Sequence, residues 1–188
     1  MAKIIKIVKE PEPVLRGEAK PVPLREITSP KIKHLIADMK VTLKNTPDGV
    51  GLAAPQVGEP LQIFIVSSEA EEIDELRRQM KKGQDLPEKK ADEKEKTKTE
   101  RNWKYYVFIN PEIKKIARKK SEDAEGCLSV PGKFGTVKRA EKITAVAHNE
   151  YGKKFIRGAS GFFARVIQHE LDHLKGTLFI DKVEKFLE

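Results

Sequence analysis

Between Ser29 and Asn45 the apolar residues Ile32, Leu35, Ile36, Met39 and Leu43 recur at helical spacing, so one face of a helix is apolar there. Ser29 supplies a capping side chain and Pro30 suits the first helical position, while the stretch from Asn45 to Gly49 breaks the pattern. A second amphipathic helix is predicted from a Ser160 cap through Phe162, Val166, Ile167, Leu171 and Leu174 to Gly176. Four short runs are β-branched or aromatic and bounded by Pro, Gly or Asn: Gln62 to Val66, Tyr105 to Ile109, Ile143 to His148, and Lys153 to Ile156. These read as strands, with Asn149 to Gly152 as a hairpin turn between the last two. The pattern is that of an α+β fold without internal repeats.

Residues 69 to 104 are different, with 11 acidic and 11 basic side chains in 36 positions. The first part is still ordered by pattern. Ser68 stands three before Glu71 as a capping box, acids follow early, Arg77, Arg78, Lys81 and Lys82 come late, and Gly83 closes the run. Acid in front, base behind and glycine after the end match a helix macrodipole and its cap, predicting a helix over 69–82. Ile73, Leu76 and Met80 offer it a thin apolar stripe for loose docking. Residues 84 to 102 have almost nothing to bury and read as a disordered, solvated loop.

Composition narrows the class. Hydrophobic residues make up 38% and charged residues 35%. With 37 basic and 29 acidic side chains the formal charge is +8, all of it outside the neutral insert, which favours an anionic partner such as RNA. The single cysteine, Cys127, excludes an internal disulfide framework and fits a reducing, cytoplasmic setting. Met1 to Lys9 lacks an unbroken apolar core, and no run approaches a membrane span; no leader and no membrane partner are expected.

The chemistry begins at His169-Glu170-Leu171-Asp172-His173. Residues four apart on a helix stack one turn above each other, so both imidazoles can reach one metal ion while Glu170 flanks it as a base. A catalytic site of this kind wants a third protein ligand and an open position for water. In HExxHxxGxxH proteases a third histidine follows; here Gly176 is in place, but Phe179 stands where that histidine would be and cannot ligate. Glu184 and Glu188 follow too soon to return on a second helix. The third ligand is therefore sought upstream, where His34 and His148 are possible and the lone thiol Cys127, set between glycines in Glu125-Gly126-Cys127-Leu128-Ser129-Val130-Pro131-Gly132, is the better candidate. A further motif, Gly49-Val50-Gly51-Leu52-Ala53-Ala54-Pro55-Gln56, joins close-approach glycines to one amide. It lacks the Gly-Lys-Ser/Thr ending of a phosphate loop and would equally serve as a turn before the strand at Gln62.

Taken together, GVGLAAPQ, EGCLSVPG and QHELDHLKG, in that order, resemble the three signature motifs of the peptide deformylase family. The resemblance extends to Pro13, Leu15, Arg16, Ala19, Pro21 and Val22, so it spans most of the chain; the charged insert at 69–104 departs from it. It implies one catalytic domain over residues 1–188, with antiparallel sheets packed around a central helix bearing the HExxH residues. It also implies an activity: removal of the N-formyl group from the initiator methionine of nascent polypeptides, with release of formate.

Carried onto this chain, the resemblance makes Cys127, His169 and His173 the metal ligands and Glu170 the group that takes a proton from water and returns it to the leaving amine. The Gln56 side-chain amide and the Leu128 backbone N–H become the donors to the oxyanion. Phe162 and Val166 precede His169 by seven and three residues and, with Val50 and Gly51 of the first motif, would wall a pocket for the methionine side chain. The family implies Fe²⁺, although Zn²⁺ or Ni²⁺ would bind such a donor set more tightly. A monomer that meets the ribosome through its basic surface is the expected partner arrangement. Two rival readings use the same helix: a zinc peptidase, weakened by the missing third histidine, and a basic RNA-associated module with a structural metal, weakened by an available Glu170 and by a Gln56 without structural duty.

Overall fold

The computed structural model describes residues 2–81 and 104–187; the loop read at 84–102 lies outside them. In chain order the elements are α1 (Pro30–Lys44), β1 (Gly51–Ala53), β2 (Ile63–Ser67), α2 (Glu69–Lys81), β3 (Tyr105–Ile116), β4 (Lys120–Cys127), β5 (Val130–Ala140), β6 (Lys142–His148), β7 (Lys154–Ser160), α3 (Gly161–His173) and β8 (Val183–Leu187). Two antiparallel sheets result. One has the order β1-β2-β3-β6-β7, the other β4-β5-β8.

Strand β2 explains why the larger sheet lies between two helices. Every residue of Ile63–Ser67 is buried, and because successive side chains point to opposite faces, the two faces enter different cores. Phe64 and Val66 pack with Phe163, Ile167 and Leu171 of α3, whereas Ile63 and Ile65 pack with Ile36, Met39 and Leu43 of α1. Phe64 also stacks on Phe108 of β3 at 4.6 Å between ring centroids. Full burial of each such side chain contributes roughly 1.5–3 kcal/mol, which fixes α3 on the sheet. A third apolar cluster, around Leu15, Val130, Val137, Leu178 and Phe179, ties the N-terminal segment to the smaller sheet.

Helix α1 matches its prediction: Ser29 accepts the Ile32 N–H at 3.4 Å and Pro30 opens the helix. The Asn149 to Gly152 turn joins β6 to β7, with His148 paired to Lys154 and Gly152 at φ +77°. Helix α2 is described over Glu69–Lys81 of the 69–82 expected, Lys82 and Gly83 lying outside the described residues, but its N-terminal cap differs. Ser67, not Ser68, accepts the Glu69 N–H, at 3.2 Å, while the Ser68 hydroxyl accepts from the Lys104 backbone. Its docking also differs from the apolar stripe expected: Met80 is exposed while Asp74 is buried. Ser160 occupies the cap position of α3, yet its side chain makes no capping bond. The strands β4, β5 and β8 were not predicted, and β3 and β7 run past their predicted ends, because their residues are strongly charged or exposed on one face and lack an apolar run.

Candidate metal centre and catalytic cleft

Helix α3 carries His169 and His173 on one face, their rings in edge contact at 5.0 Å between centroids. Cys127 is the last residue of β4, and the turn Leu128-Ser129 returns the chain into β5, with Cys127 paired to Val130. The expected irregular backbone around the thiol is thus a tight β-hairpin. It delivers Sγ to 3.3 Å from Nε2 of His173. Among the described residues, Cys127, His169 and His173 form the group of three side chains whose ligand atoms all lie within 4.8 Å of one another. His34 is exposed on α1 and His148 lies on β6, both outside this group.

The surroundings suit a cation. Burial, reinforced by the positive charge of His169 and Arg139, holds His173 well below the usual imidazole value, leaving a neutral ring with a lone pair to donate. Burial also works against a charged His169, but hydrogen bonding to Cys127 and Glu125 outweighs it and raises that ring to about 10. A metal ion bound at His169 therefore displaces a proton from that ring. The N–H groups of Ser129 (3.4 Å) and Gln56 Nε2 (3.6 Å) both point at the sulfur. One soft sulfur and two imidazole nitrogens fit a divalent transition metal.

Glu170 is 4% exposed. Desolvation pushes its carboxyl up to about 7, against the nearby positive charge of His169 and Arg139, which puts it where a group can both take and give a proton near neutrality. Its Oε2 has no hydrogen-bond partner among the described residues. Gly51 makes room for it, since a Cβ at that position would overlap the Glu170 carboxylate.

These groups open into a cleft of about 550 Å³, which Val50, Gly51, Gln56, Leu128, Phe162, Val166, His169 and Glu170 help to line. The site residues that the family resemblance implies are brought together there or at the metal-ligand group, whereas the alternative ligands His34 and His148 are not. Gln56 is 2% exposed and its amide is oriented: Oε1 accepts the Ala53 N–H at 2.8 Å, and Nε2 donates to Ser129 Oγ at 3.2 Å. The first motif is accordingly neither a phosphate loop nor a mere turn. It is strand β1 followed by a single 3₁₀ turn, Ala54–Val57, and it aims one amide at the metal-ligand group.

The family profile described as polypeptide deformylase matches residues 4–187. The chain belongs to this family. A peptide deformylase from Halothermothrix orenii is 41% identical over 185 residues, covering 98% of this chain and 97% of that relative. The chloroplastic peptide deformylase 1A of Solanum lycopersicum is 38% identical over 94% of this chain, which spans only 58% of that relative's length. Among solved structures, a Met-Ala-Ser-bound class I type b peptide deformylase from Acinetobacter baumannii superposes with a TM-score of 0.76 at 29% identity, covering 97% of this chain and 100% of that one.

Five residues to which sequence reasoning gave no role form the network that holds the ligands in place. Glu125 of β4 accepts from Arg139 Nε and Nη2, each at 2.8 Å, and from Arg165 Nη1 at 2.7 Å. Its Oε2 also lies 3.0 Å from Nδ1 of His169, leaving Nε2 as that ring's donor toward the centre. Arg139 reaches on to Asp172 at 2.5 Å, and Lys182 to the other oxygen of Asp172 at 2.6 Å. Glu125 and Asp172 both sit inside the motifs already quoted, so a signal was present in their position. Arg139 and Arg165 carried none, because a buried arginine looks like a surface one in sequence.

Proposed function

We propose that this chain is a metal-dependent hydrolase that removes the N-formyl group from the initiator methionine of nascent polypeptides. The observation that carries the reading is the convergence of Cys127, His169 and His173 beside a buried Glu170, with the Gln56 amide directed at the same point.

Cys127 Sγ, His173 Nε2 and His169 Nε2 would hold the ion. When bound, a divalent metal lowers the pKa of water from about 15.7 towards roughly 7. Glu170 accepts the proton of the attacking water and passes it to the departing amine as the C–N bond breaks, so formate and a free N-terminal amine leave. By resemblance to the family, Gln56 Nε2–H and the Leu128 N–H would donate to the oxygen on which negative charge develops. Loss of one such donor costs on the order of 3 kcal/mol in the transition state. Val50, Gly51, Phe162 and Val166 form the wall against which the methionine side chain rests.

Fe²⁺ is the ion we assign, with Zn²⁺ or Ni²⁺ as substitutes for the same donors. The net charge of +8 favours electrostatic contact with the ribosome, and we read the protein as a cytoplasmic monomer. Residues 1–188 form one catalytic domain in this reading.

The decisive assay is formate release from formyl-Met-Ala-Ser by the chain loaded anaerobically with Fe²⁺. Turnover that disappears on chelation is expected. A loaded chain that leaves the formyl group intact would overturn the assignment.

A further inference from the structure

Helix α2 belongs to the segment that departs from the family pattern, yet it is bonded to the start of the helix that carries the ligands. Asp74, 5% exposed, accepts the Phe162 backbone N–H through Oδ1 at 2.8 Å. This is the capping bond that Ser160 does not make. Gly161, at φ +56°, leaves the space the carboxylate fills, since a Cβ there would overlap Asp74. Arg78 pairs with the other oxygen of Asp74 and donates to Ser160 Oγ at 3.0 Å, so both sides of the cap are tied to α2.

The side chain of Phe162 is held as well as its backbone. The Arg77 guanidinium lies 4.5 Å from the centroid of the Phe162 ring and pairs at 2.5 Å with Asp123 of β4. Phe162 lines the catalytic cleft, whereas Asp74, Arg77 and Arg78 stand behind it.

We propose that α2 is a clamp on the specificity wall: Asp74 fixes the first turn of α3, Arg77 fixes the Phe162 ring, and together they position the surface that selects the first side chain of the substrate. Neither residue touches substrate. Both act through Phe162 and are positioning residues. The inference rests on the formyl-methionine reading of the cleft for its choice of substrate.

The experiment compares the full Fe²⁺-loaded chain with Arg77→Ala, Asp74→Ala and Asp74→Asn. Two substrates are used, formyl-Met-Ala-Ser and formyl-Ala-Ala-Ser, and amide hydrogen exchange at Phe162 is followed in parallel. Loss of a partly exposed cation–π contact should lower the preference of Arg77→Ala for methionine over alanine about threefold, through KM for the methionine substrate, with the alanine substrate unchanged. Loss of the cap in Asp74→Ala should speed exchange at Phe162 about fivefold to tenfold. Asp74→Asn keeps an oxygen for that N–H and should restore most of the protection.

An Arg77→Ala chain that loses both substrates equally, or neither, overturns the clamp. So does Phe162 exchange that is unmoved in Asp74→Ala. If Asp74→Ala does not fold, the Arg77→Ala comparison decides. A native chain that releases no formate would instead sink the activity reading and leave amide exchange to judge the clamp.

Discussion

Glu125 Oε2 lies 3.0 Å from His169 Nδ1, and the same carboxylate is held by two buried arginines. The orientation of one ligand ring therefore depends on a charge network that spans β4, β5 and α3. A partner of this kind fixes the tautomer of a ligating histidine and strengthens its donation. Glu125→Gln is expected to weaken metal binding about 10-fold to 100-fold, measured by competition with a chromogenic chelator. Unchanged affinity would remove Glu125 from the orientation of His169.

Glu170→Gln should keep its metal and lose at least about 100-fold in formate release, because an amide preserves shape but cannot take the proton. Gly51→Ala tests the same carboxylate by displacement. The added methyl meets Glu170, and a shift of about 1 Å in a reacting group costs on the order of 100-fold in rate. Metal content and turnover, measured side by side, separate both effects from ligand loss.

Alkylation of the sole thiol reports the centre directly. Cys127 as a ligand is expected to react slowly with iodoacetamide in the metal-loaded chain and quickly after chelation. Equal labelling rates, followed by mass spectrometry, would place the third ligand elsewhere.

Acid should weaken the fold through Glu125. Burial alone would raise its carboxyl, but hydrogen bonds from Arg139 and His169 and their positive charge win, and it lies far below the usual 4.5. Its folded pKa is thus lower than its unfolded one. Below about 4.5 the unfolded chain binds the extra proton, so the contribution is complete above that pH and shrinks as pH falls. The Tm gap between the native chain and Glu125→Gln, wide at pH 7, should narrow steadily below pH 4.5. A gap that holds constant to pH 3 would contradict the assignment.

Legibility in the sequence followed the strength of local signals. Helices α1 and α3 were readable because apolar spacing survives burial on one face, and β2 because both its faces are buried. Strands β4 and β5 were not. Lys120, Glu122 and Lys138 are exposed or nearly so, and what ties this hairpin to α3 is a set of ion pairs, which leaves no period to read. The ligands and Glu170 were named from motif resemblance and helical spacing. The Asp74 cap lay beyond reach, since the contact between residues 74 and 162 is made by tertiary folding and nothing near Ser160 announces it.

The two-residue turn after β4 has a mechanical consequence. Cys127 comes from the smaller sheet and the histidines from the helix seated on the larger one, 46 residues away from the sulfur to His173. An ion held between them would act as a cross-link and restrict the unfolded chain much as a covalent bridge closing a loop of that length does. Demetallation would then do more than silence a catalyst. It would cut the strut between the two layers, and the lifetime of the fold and the lifetime of the activity would be governed by the same three bonds.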